Sequence, residues 1–305
     1  MNVHRPVLLK EVLESLRPQR GESYLDVTAG FGGHAKAILA RTGSPQKAML
    51  VDRDLEAVKA LRKLFGPAGA TIIHQDFWSA SRQLLEQSRN FDLILADLGT
   101  SSPQLDSAER GFAIQKSGPL DMRMDLSQQL TAEAILNSYS EKQLTELLET
   151  YGEEPKARAI ARRLVAARPL RTTDQLAAIV AKAATWRSRS RVHPATRTFQ
   201  ALRVAVNQEL EQLEKSLPLW LRLLAPKGRL VVISFHSLED RLVKRFLVEQ
   251  AGETYNSELV LLNKKPLQAT KQEIVFNPRA RSAKLRAAAK IKTKTERNKG
   301  KLNAY

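Results

Sequence analysis

Within its first hundred residues the chain carries four short apolar runs, each with an acidic residue near its end and a helical pattern after it. They are "SYLDVTAG" (23–30), "KAMLVDRD" (47–54), "ATIIHQDF" (70–77) and "FDLILADLG" (91–99). Strands alternating with helices at this spacing predict a parallel sheet with helices on both faces. The next strand-like run, "GRLVVISF" (228–235), comes only after about 130 residues, whereas a crossover needs about a dozen. In between, "TAEAILNSYSEKQLTELLETYG", "PKARAIARRLVAAR" and "TTDQLAAIVAKAAT" repeat apolar residues three and four apart, and Thr172 or Thr173 is placed to cap the third. The expected fold is therefore α/β, a Rossmann-like sheet with an all-helical domain inserted between its fourth and fifth strands. The sheet domain should occupy residues 1–103 and 205–305, and the insert residues 104–204. A single helix, "TRTFQALRVAVNQELEQLEKSLPLWLRLL", should return the chain to the sheet. Beyond the fifth strand, the helix "SLEDRLVKRFLVEQ" precedes two extended segments, "ELVLLNKKPL" and "SAKLRAAAKIK", expected to pair antiparallel at the sheet edge, and "TKTERNKGKLNAY" reads as a basic tail.

Composition narrows the chemistry. The 305 residues contain no cysteine, which excludes a disulfide framework, a thiolate metal site and a cysteine nucleophile. The five histidines stand singly, without the close pairing on one helix face of a zinc enzyme, so no catalytic metal is expected. No apolar run reaches the roughly 18 residues of a membrane span. The N-terminal "MNVHRPVLLKEVLESL" has none of the regions of a signal peptide; the expected location is cytoplasmic. The net charge is +17, and it is concentrated: residues 156–203 carry +11 and residues 279–301 carry +9, leaving the rest at −3. Local basicity of this kind suits a surface that meets a polyanion; a solvated basic face without a partner is the competing reading, and a membrane surface is disfavoured because neither segment has a bulky apolar face.

The acids at the strand ends indicate a nucleoside-type ligand. After the first strand, "GFGGHA" (30–35) opens a helix, and such a turn lets a ligand approach bare backbone. As a dinucleotide fingerprint it is incomplete, since Ala35 replaces the third glycine. Some twenty residues on, Asp52 ends the second strand, where a carboxylate can accept from ribose hydroxyls; Asp76 and Phe77 end the third, where a ring can lie on adenine; Asp97 ends the fourth. An acid at a single strand end is equally read as a helix cap or turn residue; three in succession favour a ligand. The triphosphate-binding motif G-x-x-x-x-G-K-[ST] is missing. Between a nicotinamide dinucleotide and S-adenosylmethionine the latter is preferred, because "DLGTSSPQ" stands where class I methyltransferases keep their acceptor-side loop.

Longer motifs carry a specific resemblance. "HRPVLLKEVLESL" (4–16), "GFGGHA" (30–35), "DLGTSSPQLDSAERGF" (97–112), "GPLDMRMD" (118–125), "YGEE" (151–154), "HPATRTFQALRVAVNQEL" (193–210), "SFHSLEDRLVKRF" (234–246) and "NPRARSAKLR" (277–286) together resemble the bacterial ribosomal small subunit methyltransferase H family, formerly called MraW, over nearly the whole chain. The resemblance implies a class I S-adenosylmethionine-dependent methyltransferase acting on N4 of a cytosine in the decoding centre of 16S rRNA. It implies cofactor contacts at Gly32, Gly33, His34, Asp52, Phe77, Asp97 and Gln104. Phe31, Ala35 and Thr100 depart from the family's usual Arg, Ser and Val.

The residues agree with that chemistry. Methylation at C5 of cytosine uses a cysteine that adds to C6, and the chain has none. Transfer to an exocyclic amine needs only alignment and an acceptor for an N4 hydrogen. Asp97 is the leading candidate, holding the methionine part of the cofactor, accepting from N4, or doing both. The amino-methyltransferase signature of Asp or Asn before Pro-Pro-Tyr is replaced by "DLGTSSP". A target base must leave its stack, and Arg123, His193, Arg197, His236, Ser237, Arg279 and Arg281 are the candidates for gripping substrate. His193 and His236 serve equally well as helix caps, and Arg123 as a structural partner of Asp121 or Asp125. The expected partner is 16S rRNA, within the 30S particle. Competing readings are a methyltransferase with another RNA or DNA acceptor, and an inactive rRNA-binding assembly factor.

Overall fold

The computed structural model describes residues 6–183, 193–252 and 257–291. The basic tail from residue 292 on, and Arg187, Arg189 and Arg191 of the first basic segment, lie outside the described residues. The chain divides into two compact units, residues 1–99 with 211–305, and residues 100–210.

The first unit is built on one seven-stranded sheet: β1 (Tyr24–Asp26), β2 (Ala48–Asp52), β3 (Thr71–His74), β4 (Phe91–Asp97), β5 (Leu224–Ser234), β6 (Leu259–Leu261) and β7 (Lys284–Lys290). Their order is β3-β2-β1-β4-β5-β7-β6. The pairs joining β3 through β5 are parallel, and β7 runs antiparallel between β5 and β6. This is the class I methyltransferase sheet. The period of two along each strand divides the core into two layers. Tyr24, Leu50, Leu93, Leu95 and Ile233 pack with α1 (Leu9–Leu16), α2 (Gly33–Thr42) and α3 (Leu55–Phe65). Leu25, Val51, Ile94, Ala96 and Val232 pack on the other face with α4 (Phe77–Glu86), α11 (Glu209–Leu223) and α12 (Ser237–Gln250), where Trp220 is fully buried. The extended segments near the end do pair antiparallel, but only β6 is an edge; β7 is interior because β5 supplies its second partner. No helix among the described residues is long and apolar enough to cross a membrane.

The second unit is helical, with α5 (Ser102–Asp106), α6 (Ala132–Ser138), α7 (Glu141–Gly152), α8 (Ala157–Ala166), α9 (Thr173–Ala183) and α10 (Thr196–Asn207). Its own core gathers Leu136, Leu147, Ile160, Leu164, Leu176, Val180 and Leu202, spaced three or four apart on their helices. The single helix expected over 196–224 is two helices. Gln208, at φ 52°, breaks it, and the break is fixed by neighbouring polar contacts. Asn207 Oδ1 accepts from the Met124 N–H (2.8 Å), its Nδ2 donates to the Met122 (2.8 Å) and Arg203 (2.9 Å) carbonyls, and Arg203 donates bidentately to Glu209 (2.9 Å each).

Candidate active site at the carboxyl edge of the sheet

The acids that end the parallel strands have different partners. Asp52 Oδ2 accepts from the Gly30 N–H (2.7 Å) and Oδ1 from Asp54 N–H (2.8 Å), which ties the end of β2 to the glycine turn after β1. Burial outweighs these bonds and raises its carboxyl to about 6. Asp76 caps α4, accepting from the backbone N–H and the hydroxyl of Ser79 (2.9 and 2.8 Å), as helix termini require. Phe77 opens that helix, with its ring edge-to-face against Trp220 at 5.7 Å.

The glycine turn is less bare than its sequence suggests. A Cβ on Gly32, at φ 81°, would lie 2.5 Å from Phe65 Cε2, and one on Gly33 would lie 2.7 Å from Pro6 Cγ. Protein atoms therefore explain the missing side chains at both positions. Gly30, at φ 53°, has nothing within 4 Å of its Cβ position and is the open point of the turn.

At the ends of β1, β4 and β5 the polar groups lie close to one another, with Asp26, Ser234 and Glu239 buried and Asp97 partly so. The Tyr24 hydroxyl donates to Asp26 Oδ2 (2.6 Å), and the Thr28 N–H donates to Asp26 Oδ1 (3.2 Å). Burial lifts the Asp26 carboxyl to about 7, against the lowering effect of these donors. The Asp97 N–H donates to the Thr28 hydroxyl (2.6 Å). Its carboxylate is pushed up well above the usual range, first by burial and then by the charges of Asp26 and Glu239. Asp97 Oδ2 lies 3.5 Å from Nδ1 of the buried His34, whose Nε2 is 2.9 Å from the Val7 carbonyl. Asp97 Oδ1 is sealed from solvent without a hydrogen-bond partner among the described residues, as is the Ser234 hydroxyl at the end of β5. His236 caps α12 in a capping box. Its Nδ1 accepts from the Glu239 N–H (3.4 Å), while Glu239 Oε2 accepts from the N–H groups of Phe235 (2.8 Å) and His236 (3.3 Å). Ser237 is the first residue of that helix.

His34, Asp52 and Asp97 thus share this edge with His236 and Ser237. The other sequence candidates have different settings. Gln104, in the helical unit, accepts from the Ser101 N–H (2.9 Å) and so caps α5. Arg123 grips Asp121 through Nε and Nη2 (2.8 Å each), and its Nη1 donates to the Leu126 and Gln128 carbonyls (3.0 and 2.7 Å), a local clamp on residues 121–128. His193 Nδ1 accepts from the Ala195 N–H (3.1 Å) just before α10, and Arg197 donates to the Glu153 carbonyl (2.8 Å). Arg279 and Arg281 lie on a 3-10 turn, Pro278–Ser282, the first half-buried and the second exposed. Asp26, Ser234 and Glu239 are members of the edge cluster that the sequence reading passed over. Two signals pointed to Asp26 and Glu239: Tyr24 and Asp26 two apart on one strand face, and Glu239 three residues after a capping position.

The ribosomal RNA small subunit methyltransferase H of Cyanothece sp. is 48% identical to this chain over 292 residues, spanning 95% of each chain. That of Acidobacterium capsulatum is 47% identical over 295 residues, spanning 94% of this chain and 98% of its own. Among solved structures, a putative rRNA methylase from Clostridium thermocellum aligns with a TM-score of 0.46 at 10% identity, over 95% of this chain and 100% of that one. The profile described as the MraW methylase family matches residues 1–291. The chain belongs to the MraW methylase family.

Proposed function

We propose that this protein methylates N4 of a cytosine in the decoding centre of 16S rRNA, with S-adenosylmethionine as methyl donor and the assembled 30S particle as substrate. The observation that carries the reading is Asp97: a carboxylate at the end of β4 with one oxygen sealed and without a partner among the described residues, and the other facing a histidine. A buried acceptor lacking a donor is rare, and it fits a ligand ammonium or amine.

The residues around it fit the rest of the cofactor. Asp52 keeps acceptor capacity beyond its two backbone bonds for ribose hydroxyls, Phe77 offers a ring at the end of β3, and Gly30 leaves open space in the turn. When bound, S-adenosylmethionine supplies an electrophilic methyl group on a positively charged sulfur. The chain orients the acceptor amine and takes up its proton, and Asp97 is our candidate for that role. The absence of cysteine removes the covalent route to C5 and leaves direct transfer to an exocyclic nitrogen. The arginines of the helical unit, together with Arg279 and Arg281, would grip the surrounding phosphates. The names of the curated relatives point to small-subunit rRNA as the target.

The test is mass spectrometry of rRNA nucleosides after incubation with labelled cofactor, on naked 16S rRNA and on 30S particles. N4-methylcytidine formed on the particle supports the proposal; label on ribose or on C5 refutes it. Asp97→Ala should abolish transfer, and near-normal turnover would remove Asp97 from the mechanism.

A further inference from the structure

His34 and Asp97 face each other in an arrangement that requires a proton. The Val7 carbonyl, 2.9 Å from His34 Nε2, can only accept, so Nε2 carries the hydrogen of a neutral ring. Nδ1 then directs a lone pair at Asp97 Oδ2, 3.5 Å away. A lone pair opposed to a carboxylate is repulsive, and a proton on either partner removes the repulsion. Both resulting forms, imidazolium with carboxylate and imidazole with carboxylic acid, hold the same one extra proton, so it belongs to the pair.

The titratable groups on the neighbouring elements are Tyr24 and Asp26 on β1, Asp52 on β2, and His236 and Glu239 at the start of α12. Their acids favour retention of the proton: the charge of Glu239 acts on Asp97, and so does that of Asp26 once it ionises, at about pH 7. The unpartnered Oδ1 of Asp97 leaves the pair responsive to a cation that arrives from outside.

We propose that the His34–Asp97 pair holds one proton in the cofactor-free protein and releases it when a cationic cofactor binds, making His34 a positioning residue that sets the charge of Asp97. The proposal rests on the cofactor assignment above. S-adenosylmethionine carries one positive charge more than its demethylated product, S-adenosylhomocysteine, so the two ligands should differ in how far they expel the proton. Donor affinity then rises with pH by up to about tenfold per unit across the interval in which the pair titrates, and product affinity rises less steeply. The pair discriminates donor from product by charge.

Calorimetry of both ligands in buffers of different ionisation enthalpy reads the proton count directly. The expected result is release of most of one proton with S-adenosylmethionine and clearly less with S-adenosylhomocysteine. In Asp97→Asn the release should vanish. In His34→Gln, which keeps an N–H for the Val7 carbonyl, its pH profile should shift. Donor binding to the wild-type protein without proton release at any pH at which it stays folded overturns the proposal while leaving the cofactor assignment intact. An unchanged pH profile in His34→Gln also overturns it. No binding of either ligand at any pH overturns the cofactor assignment, and the proposal with it.

Discussion

Gly32 and Gly30 sit two residues apart in one turn, and both have positive φ, yet their replacement by alanine should have unequal effects. At Gly32 the new methyl group would lie 2.5 Å from Phe65 Cε2, 3.1 Å from its Cζ and 3.2 Å from Leu61 Cδ2. Carbon atoms prefer separations of about 3.5–4.0 Å, so the Phe65 ring must retreat by about 1 Å within a packed layer. Overpacking of this kind costs about 1–3 kcal/mol, and a left-handed conformation costs an L-residue about 1–2 kcal/mol more. The expected loss for Gly32→Ala is therefore about 2–5 kcal/mol. Gly30→Ala meets only open space and should lose about 1–2 kcal/mol, while interfering more with ligand binding. Thermal unfolding distinguishes the two, since a unit of this size shifts by about 2–4 °C per kcal/mol. Phe65→Leu removes the struck ring atoms, so the double variant with Gly32→Ala should show a favourable coupling of about 1 kcal/mol or more. Equal losses at Gly30 and Gly32, or no coupling with Phe65, would show that the glycine is not kept for packing.

Asp26 has a carboxyl raised from 3.8 to about 7 by burial. Its protonated form is favoured in the fold, so its contribution to stability is complete below about pH 4 and declines as pH rises to about 7, by at most about 4 kcal/mol. Asp26→Asn should flatten that part of the stability profile in denaturant titrations, and an unchanged profile would contradict the assignment. Arg123→Ala should destabilise the helical unit by about 2–4 kcal/mol. Arg123→Lys should rescue little of this, because an ammonium cannot reproduce the two-pronged grip on Asp121; full stability in either variant would refute the clamp. Affinity for rRNA should fall steeply with salt, and replacing Arg279 and Arg281 by alanine should reduce the slope of log affinity against log salt by about 1 each. A flat dependence would argue against phosphate contacts.

Much of the sheet was legible because β1, β2 and β4 are buried on both faces and announce themselves as apolar runs closed by acids. The break at Gln208 was not. "VAVNQELEQL" contains neither glycine nor proline, and the left-handed residue is held there by side chains of Asn207 and Arg203 whose partners include Met122 and Met124, some eighty residues away. At the site, the acids were visible from strand-end position, but their individual roles were not. Asp76 is satisfied as a helix cap, Asp52 fastens a turn, and Asp97 keeps an oxygen without a partner; these differences arise from distant neighbours. The glycine pattern was visible too, but the ring of Phe65 and the proline at position 6, which account for Gly32 and Gly33, are brought there only by the fold.

The interruption of the sheet unit by the helical one also bears on how the chain is made. β4, running through the apolar "FDLILAD", pairs on one side with β1 and on the other with β5, which begins at Leu224. At a synthesis rate of about 5–20 residues per second, the second partner emerges roughly 6–25 s after β4 itself. For that interval the growing polypeptide exposes an unpaired, hydrophobic strand edge, the kind of surface that recruits other strands. The intervening helical unit has a core of its own, drawn from residues that all precede β5, and can fold during the delay. Nascent chains that end between residues 100 and 220 should therefore be the stage at which this protein depends most on chaperones.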